Sequence, residues 1–305
     1  MSASTLTAWD AARLAAWSQA HLHNVESALS RWVGVDAPVL LGDAMRYAVL
    51  DGGKRLRPLL VMAASEAVGG NEAAALRAAC AAELIHAYSL VHDDLPCMDN
   101  DVLRRGKPTV HVKFGEADAL LAGDALQALA FELLTPDSDE VPPAMQARLC
   151  RLLACAAGSQ GMAGGQAIDL ASVGVALDQA QLREMHRLKT GALLQGSVEM
   201  GAVCNADVAP AALAALRAFG AALGLAFQVV DDILDVTADS QTLGKTAGKD
   251  AASDKPTYVS LLGLDGARTE AQQLLVEALA ALERSGLADT AALRALAHMV
   301  VDRDR

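Results

Sequence analysis

The stretch LRAACAAELIHAYSLVHDDL, Leu76 to Leu95, decides the fold. Ala and Leu are the strongest helix formers, and the apolar residues recur at spacings of three and four, the period of one helix face. The stretch ends on two adjacent aspartates, Asp93 and Asp94, followed by Pro96, which should stop the helix. Runs of the same kind fill the chain at Ala117–Leu134, Ala144–Ala157, Leu182–Met200, Ala211–Leu234 and Ala267–Leu282. No persistent period-two alternation competes with them. Val33–Leu41 and Val173–Leu177 come nearest to strands, and Gly or Pro interrupts or flanks both. The reading is all-α.

Punctuation agrees. Gly69-Gly70-Asn71 should end one helix and cap the next. Thr135–Pro143 is a polar, Pro-rich loop. Gly161–Val175 holds four glycines and should contain a break. Thr237–Pro256 is polar without an apolar period, a loop of the length usually reserved for function. No fixed-period repeat or low-complexity linker divides residues 1–305, so one helical domain is expected.

The 305 residues carry 25 Lys+Arg against 37 Asp+Glu, a net charge of −12. That balance argues against a nucleic-acid partner, which needs a basic footprint. The 53% hydrophobic content is too high for a disordered chain. Residues Met1–Asp10 lack the basic start and apolar run of a signal peptide. The longest strongly apolar stretch, Ala218–Val230, is too short to span a bilayer. Five cysteines, without a C-x-x-C pair, suggest reduced structural thiols and a cytoplasmic location.

Two acidic clusters interrupt this apolar pattern. The first is Asp93-Asp94-Leu-Pro-Cys-Met-Asp99-Asn-Asp101; the second is Asp231-Asp232-Ile-Leu-Asp235, 138 positions downstream of Asp93. Asp231 and Asp235 are four apart and share a helix face. Like charges set together at the ends of apolar helices call for a cation. Hard oxygen donors suit magnesium, which takes one or two carboxylates and shares phosphate oxygens. The spacing does not fit an EF-hand, since the required loop glycine is missing. The scarce bases gather nearby: Lys54-Arg55-Leu-Arg57, Arg104-Arg105-Gly-Lys107, Lys189-Thr190, and Lys245, Lys249 and Lys255. Arg forks and Lys point charges both bind phosphate. No P-loop is present. Diphosphate esters, held partly through metal and partly directly, fit this combination. His86 lies two helical turns before Asp93 on the same face, His92 is adjacent to the aspartate pair, and Gln228 points toward the second cluster.

These blocks resemble the trans-isoprenyl diphosphate synthases, most closely the bacterial farnesyl diphosphate synthases. The blocks are Gly52-Gly53-Lys54-Arg55-Leu56-Arg57-Pro58, His86 through Asp99, Arg104-Arg105-Gly106, Lys189-Thr190-Gly191, Phe227-Gln228 through Asp235, and Gly244-Lys245-Thr246. The resemblance covers nearly the whole chain. It implies a helical bundle around a deep central cavity, three magnesium ions, a homodimer, and farnesyl diphosphate made from isopentenyl diphosphate with dimethylallyl and geranyl diphosphate. Geranyl or geranylgeranyl diphosphate is the alternative product. It implies Asp93, Asp99 and Asp231 as principal metal ligands, with Asp94, Asp232 and Asp235 as further ligands or their supports. Arg104, Lys189, Lys245 and Lys255 would hold the allylic diphosphate. Lys54, Arg57, His86 and Arg105 would hold isopentenyl diphosphate, and Thr190 and Gln228 would set oxygen dipoles near the reacting carbons. Asn100 departs from the family pattern, where many bacterial relatives carry aspartate.

Tyr88 lies five residues before Asp93, about 7.5 Å up the helix axis. With its neighbour Ser89 it is the candidate limit on product length; an aromatic there resembles the fifteen-carbon pattern. A terpene cyclase would need a different second motif, and an inactive modulatory subunit would be expected to have lost aspartates. Neither matches Asp231-Asp232-Ile-Leu-Asp235.

Overall fold

The computed structural model describes residues 9–50, 52–237 and 256–303. Helices make up about three quarters of these residues. Helix α1 (Ala11–Trp32) starts at Asp10, whose carboxylate accepts from the Arg13 N–H. Helices α2 (Val39–Val49) and α3 (Leu56–Val68) follow, then α4 (Glu72–Asp93). Gly69 closes α3 in the left-handed region at φ 64°, and the Asn71 side chain caps α4 by accepting from the Ala74 N–H. Asp94 is the last, half-helical residue of α4, two before Pro96. A short hairpin follows, β1 (Leu103–Arg104) antiparallel to β2 (Lys107–Pro108), then α5 (Val110–Phe114), α6 (Glu116–Leu134) and α7 (Pro143–Ala157). Next come α8 (Met162–Ala171), α9 (Gln179–His186), a π-helical turn at Arg187–Gly191, and α10 (Ala192–Val203). Helices α11 (Pro210–Thr237), α12 (Tyr258–Arg284) and α13 (Ala291–Val301) complete the described residues.

The apolar core has two lobes. One surrounds α4, which packs on α6 and receives α1, α2 and α7. The other surrounds α11, which lies along α12 and receives α10 and α13. Helices α3 and α10 pack on each other and on α4 or α11, joining the lobes. Both aspartate clusters sit at the C-terminal ends of the two central helices. Helices α4 and α11 are long and apolar enough by length and composition to cross a membrane, but each is mostly buried within the bundle. Their apolarity belongs to the core.

Four local expectations change or sharpen. The run Leu182–Met200 is broken by the π-helical turn into α9 and α10. The break expected within Gly161–Val175 falls at Ser172–Gly174, after helix α8 has run across Gly164 and Gly165. Within Val33–Leu41, Val33 ends α1 and α2 begins at Val39, so no strand forms. The thiols divide: Cys80 and Cys204 are buried, while Cys97 and Cys155 are exposed, and none is bonded to another.

Candidate active site

Arg104 and Arg105 illustrate how local geometry sorts neighbouring bases. Arg105 and Gly106 form the hairpin turn, with φ of 53° and 75°. Two consecutive positive φ values are what a tight two-residue hairpin requires. The turn sends the two side chains to different places. Arg104 reaches back to α4, its Nε donating to both Asp94 oxygens at 2.9 and 3.0 Å and its Nη2 to Oδ1 at 2.5 Å. Asp94 is only 2% exposed, so this fork is its counter-charge. Arg105 instead donates to the Gly52 carbonyl. A Cβ on Gly53 would stand 2.8 Å from the same guanidinium, so glycine permits that contact. The hairpin and the Gly52-Gly53 loop are thereby brought together.

Arg55, inside the basic motif, faces the other way. It starts α3 in the left-handed region, φ 46°. Its guanidinium donates at 2.7 Å to Glu26 and Glu83 and at 2.5 Å to the Val49 carbonyl. This buried clamp ties α1, α2 and α4 to the start of α3. Lys54 and Arg57, on either side of it, remain for a ligand. Burial lowers the Arg57 guanidinium to about 10, against the opposing pull of Glu83. Burial also holds His86 well below the usual imidazole range, and the guanidinium charges of Arg57, Arg105, Arg104 and Arg55 add to it. Lys54 is lowered by burial and by Arg303. Buried basic groups gathered in this way mark a site whose electrostatics favour an anion.

The second cluster is wired differently. Thr190 donates to Gln228 Oε1 at 2.9 Å, and Gln228 Nε2 donates to Asp232 Oδ1 at 2.9 Å. The Tyr258 N–H at the start of α12 donates to Asp232 Oδ2 at 2.8 Å. Buried Asp232 is therefore committed to orienting Gln228 and seating α12. The contact between Thr190 and Gln228 depends on small residues: a Cβ on Gly224 would lie 2.7 Å from the Gly191 Cα. Asp235 is also buried, yet neither oxygen finds a hydrogen-bond partner among the described residues. Asp231 is more open and lies 3.6 Å from Arg303 Nη2.

Three side chains join the site that the sequence reading passed over. Asp169, 4% exposed on α8, accepts from Lys189 Nζ at 2.6 Å. Gln166, one turn earlier, faces the cavity with both polar side-chain atoms buried and without partners. Arg303, beyond α13, stacks 4.3 Å over the Phe227 ring and donates to the Phe227 carbonyl. The signal for the first two was available: Gln166 and Asp169 share a face of a short apolar helix. The glycines beside them suggested a break instead. Gly165 is there for contact, since a Cβ would fall 2.0 Å from the Lys189 nitrogen. The π-helical turn supplies the other half, presenting Lys189 to α8 and Thr190 to α11.

A cavity of about 380 Å³ lies between α3, α4, α8 and the π turn. Arg57, His86, Asp93, Lys189 and Thr190 all face it, and Tyr88, Ser89 and His92 line its α4 wall. Asp93 is pushed up to about 6, first by burial and then by Asp99, against Lys189 and Arg104. The Asp99 N–H donates to the Asp93 carbonyl at 2.8 Å, which folds the loop back over the helix end. Asn100 takes φ 50°, a conformation Asn tolerates better than most residues. Lys245, Lys249 and Lys255 lie outside the described residues.

A model of the polyprenyl synthetase family matches residues 38–296. The chain belongs to the polyprenyl synthetase family. It is 46% identical over 294 residues to farnesyl diphosphate synthase of Escherichia coli K12, covering 94% of this chain and 98% of that one. It is 48% identical over 283 residues to a chloroplastic geranylgeranyl pyrophosphate synthase of Catharanthus roseus, covering 92% and 79%. A geranyltransferase structure from Helicobacter pylori, complexed with magnesium and isoprenyl diphosphate, superposes with a TM-score of 0.82 at 35% identity, covering 99% and 98%. The carboxylates of this polyprenyl synthetase suit magnesium of that kind. No three His, Cys, Asp or Glu side chains converge on one point among the described residues. The partnerless Asp235 and the elevated Asp93 are the groups a cation would relieve.

Proposed function

We propose that this polyprenyl synthetase joins isopentenyl diphosphate to dimethylallyl diphosphate and then to geranyl diphosphate, releasing farnesyl diphosphate. The observation that carries the reading is one cavity lined by Asp93 and Lys189 on one side, Arg57 and His86 on another, and Tyr88 along α4. An anionic allylic ester fits the Asp93–Lys189 end, with Arg104 adding positive charge. A second diphosphate fits the basin of Lys54, Arg57, His86 and Arg105.

Asp93, Asp99 and Asp231 would hold magnesium, three ions in all, with Asp235 supporting them. Asp94 and Asp232 act from behind, orienting Arg104 and Gln228. Bound magnesium supplies Lewis-acid stabilisation of the departing diphosphate. Lys189, steadied by Asp169, and Arg104, steadied by Asp94, add fixed positive charge where the leaving group develops negative charge. Fixed charge of this kind lowers a barrier without reorganisation. The Thr190 and Gln228 oxygens face the allylic carbons as they become cationic. The apolar α4 wall keeps water from that cation. Attack by the isopentenyl double bond forms the new carbon–carbon bond, and the released diphosphate takes the proton. The enzyme is proposed as a single domain over residues 1–305, cytoplasmic and homodimeric, with exposed Leu120 and Leu121 on α6 as apolar surface for a second copy.

The test is incorporation of labelled isopentenyl diphosphate with magnesium, using dimethylallyl and geranyl diphosphate as separate starters. The expected product from both is the fifteen-carbon diphosphate, lost on chelation with EDTA. Absence of any condensation would overturn the assignment, and hydrocarbon release from farnesyl diphosphate alone would make the chain a cyclase. The likeness to the Catharanthus protein favours a second reading, the same chemistry carried to twenty carbons, which the same chromatogram distinguishes.

A further inference from the structure

Tyr88 does not stand alone on the cavity wall. One turn further along the same face of α4, His92 also lines the cavity, and the two rings meet edge to face with centroids 5.7 Å apart. Both are matched by residues one turn apart on α6. The Gln127 side chain stands near the Tyr88 hydroxyl, where it opposes the upward push of burial on that group. His92 enters a notch at Gly123, where a Cβ would fall 2.0 Å from its Nε2 and 2.4 Å from its Cδ2. Nε2 lies 3.0 Å from the Leu120 carbonyl, so this nitrogen carries the proton and donates. The result is a two-rung ladder between α4 and α6: His92 in the Gly123 notch, Tyr88 beside Gln127. Residues four apart on facing helices are the pairs that can form such rungs.

We propose that His92, seated in the Gly123 notch, is a positioning residue for chain-length specificity: it holds the Tyr88 ring against the growing prenyl tail. The ring of Tyr88 has free χ2 rotation unless its neighbours restrict it. His92 meets it edge to face, so the wall presents one shape to the tail. A wall fixed by α6 rejects a five-carbon extension more sharply than a tyrosine able to swing aside. The device depends on residue 123 having no side chain. Any Cβ there drives the imidazole off α6 and toward the cavity.

The inference rests on the prenyl-elongating reading above, and opposite substitutions test it. His92→Ala removes the side support and opens the wall. The expected result is about a tenfold rise in the ratio of twenty-carbon to fifteen-carbon product at matched conversion, the order of discrimination a small change in an apolar pocket carries. Gly123→Ala pushes the ring inward, and geranyl diphosphate should accumulate. Gln127→Ala, at an exposed position on α6, removes the side chain near the Tyr88 hydroxyl and should lengthen the product without threatening the fold; it carries the test if Gly123→Ala does not fold. A purely structural role for these residues would change total turnover and leave the product ratio alone. Product ratios equal to wild type in folded His92→Ala and Gln127→Ala would overturn the proposal. Failure of the wild-type protein to elongate any starter would overturn the elongation reading instead, so the two outcomes are separable.

Discussion

Asp93→Asn should stabilise the metal-free protein while removing its activity. Burial pushes the Asp93 carboxyl from its ordinary 3.8 up to about 6, with repulsion from Asp99 and Asp94 adding to the effect of burial and Lys189 and Arg104 opposing it. A carboxyl with a higher pKa in the folded state binds its proton more tightly there than in the unfolded chain. Its contribution to stability is therefore fully present below about pH 4 and declines as pH rises to about 6. Above that the loss is constant. A shift of about two units corresponds to about 3 kcal/mol, an order-of-magnitude figure. Asn has the same shape and no charge, so at pH 7.5 it recovers most of that amount, the attraction to Lys189 and Arg104 being already contained in the net shift. For a chain of this size the gain is roughly 5 °C in Tm. The assay is thermal and urea denaturation of both proteins in EDTA at pH 7.5 and pH 4.5. The advantage of Asn should be largest at pH 7.5 and shrink strongly at pH 4.5. Magnesium with a diphosphate should stabilise the wild type alone. An equal effect of the substitution at both pH values, or destabilisation at pH 7.5, would refute the argument that Asp93 is an uncompensated charge awaiting a cation.

Tyr88→Ala should move the product beyond fifteen carbons with either starter; an unchanged fifteen-carbon product by chromatography would remove Tyr88 from the cavity wall. Arg55→Met leaves Glu83 buried without its partner and should cost about 3–5 kcal/mol in urea denaturation, the range for breaking a buried pair from one side. A midpoint shift well under that would mean the clamp on α1, α2 and α4 is redundant. Asp169→Asn weakens the hold on Lys189, and the KM for geranyl diphosphate should rise about tenfold, equivalent to 1.4 kcal/mol, with little change in the KM for isopentenyl diphosphate. Equal changes in both would place Lys189 elsewhere.

The family was legible because chemistry concentrates at short, dense motifs. Paired aspartates ending two apolar helices cannot be mistaken for an ordinary solvated face. Arg55 was not separable from Lys54 and Arg57, since all three are bases in one motif. Only the left-handed φ at its helix start and the buried Glu83 opposite it turn Arg55 inward. Asp94 and Asp232 read as further metal ligands or their supports, and their partners in the fold, Arg104 and the Tyr258 N–H, lie 10 and 26 residues away, beyond what a local motif shows. Asp169 and Gln166 were hidden because glycine signals both a broken helix and a close approach, and sequence alone does not tell the two apart.

What the sequence determined by itself is the material: helices from Ala and Leu at period 3.6, their ends at Gly69, Asn71 and Pro96, and two aspartate clusters that require a counter-ion. Those are local or compositional properties, set by residues within a turn or two of one another. What only the tertiary structure decided is which charges are already spent and which remain for a ligand. That depends on whether a side chain from a distant helix arrives within hydrogen-bonding distance. Here the decisive approaches are made at residues without a Cβ: Gly165 against Lys189, Gly224 against Gly191, and Gly123 beneath His92.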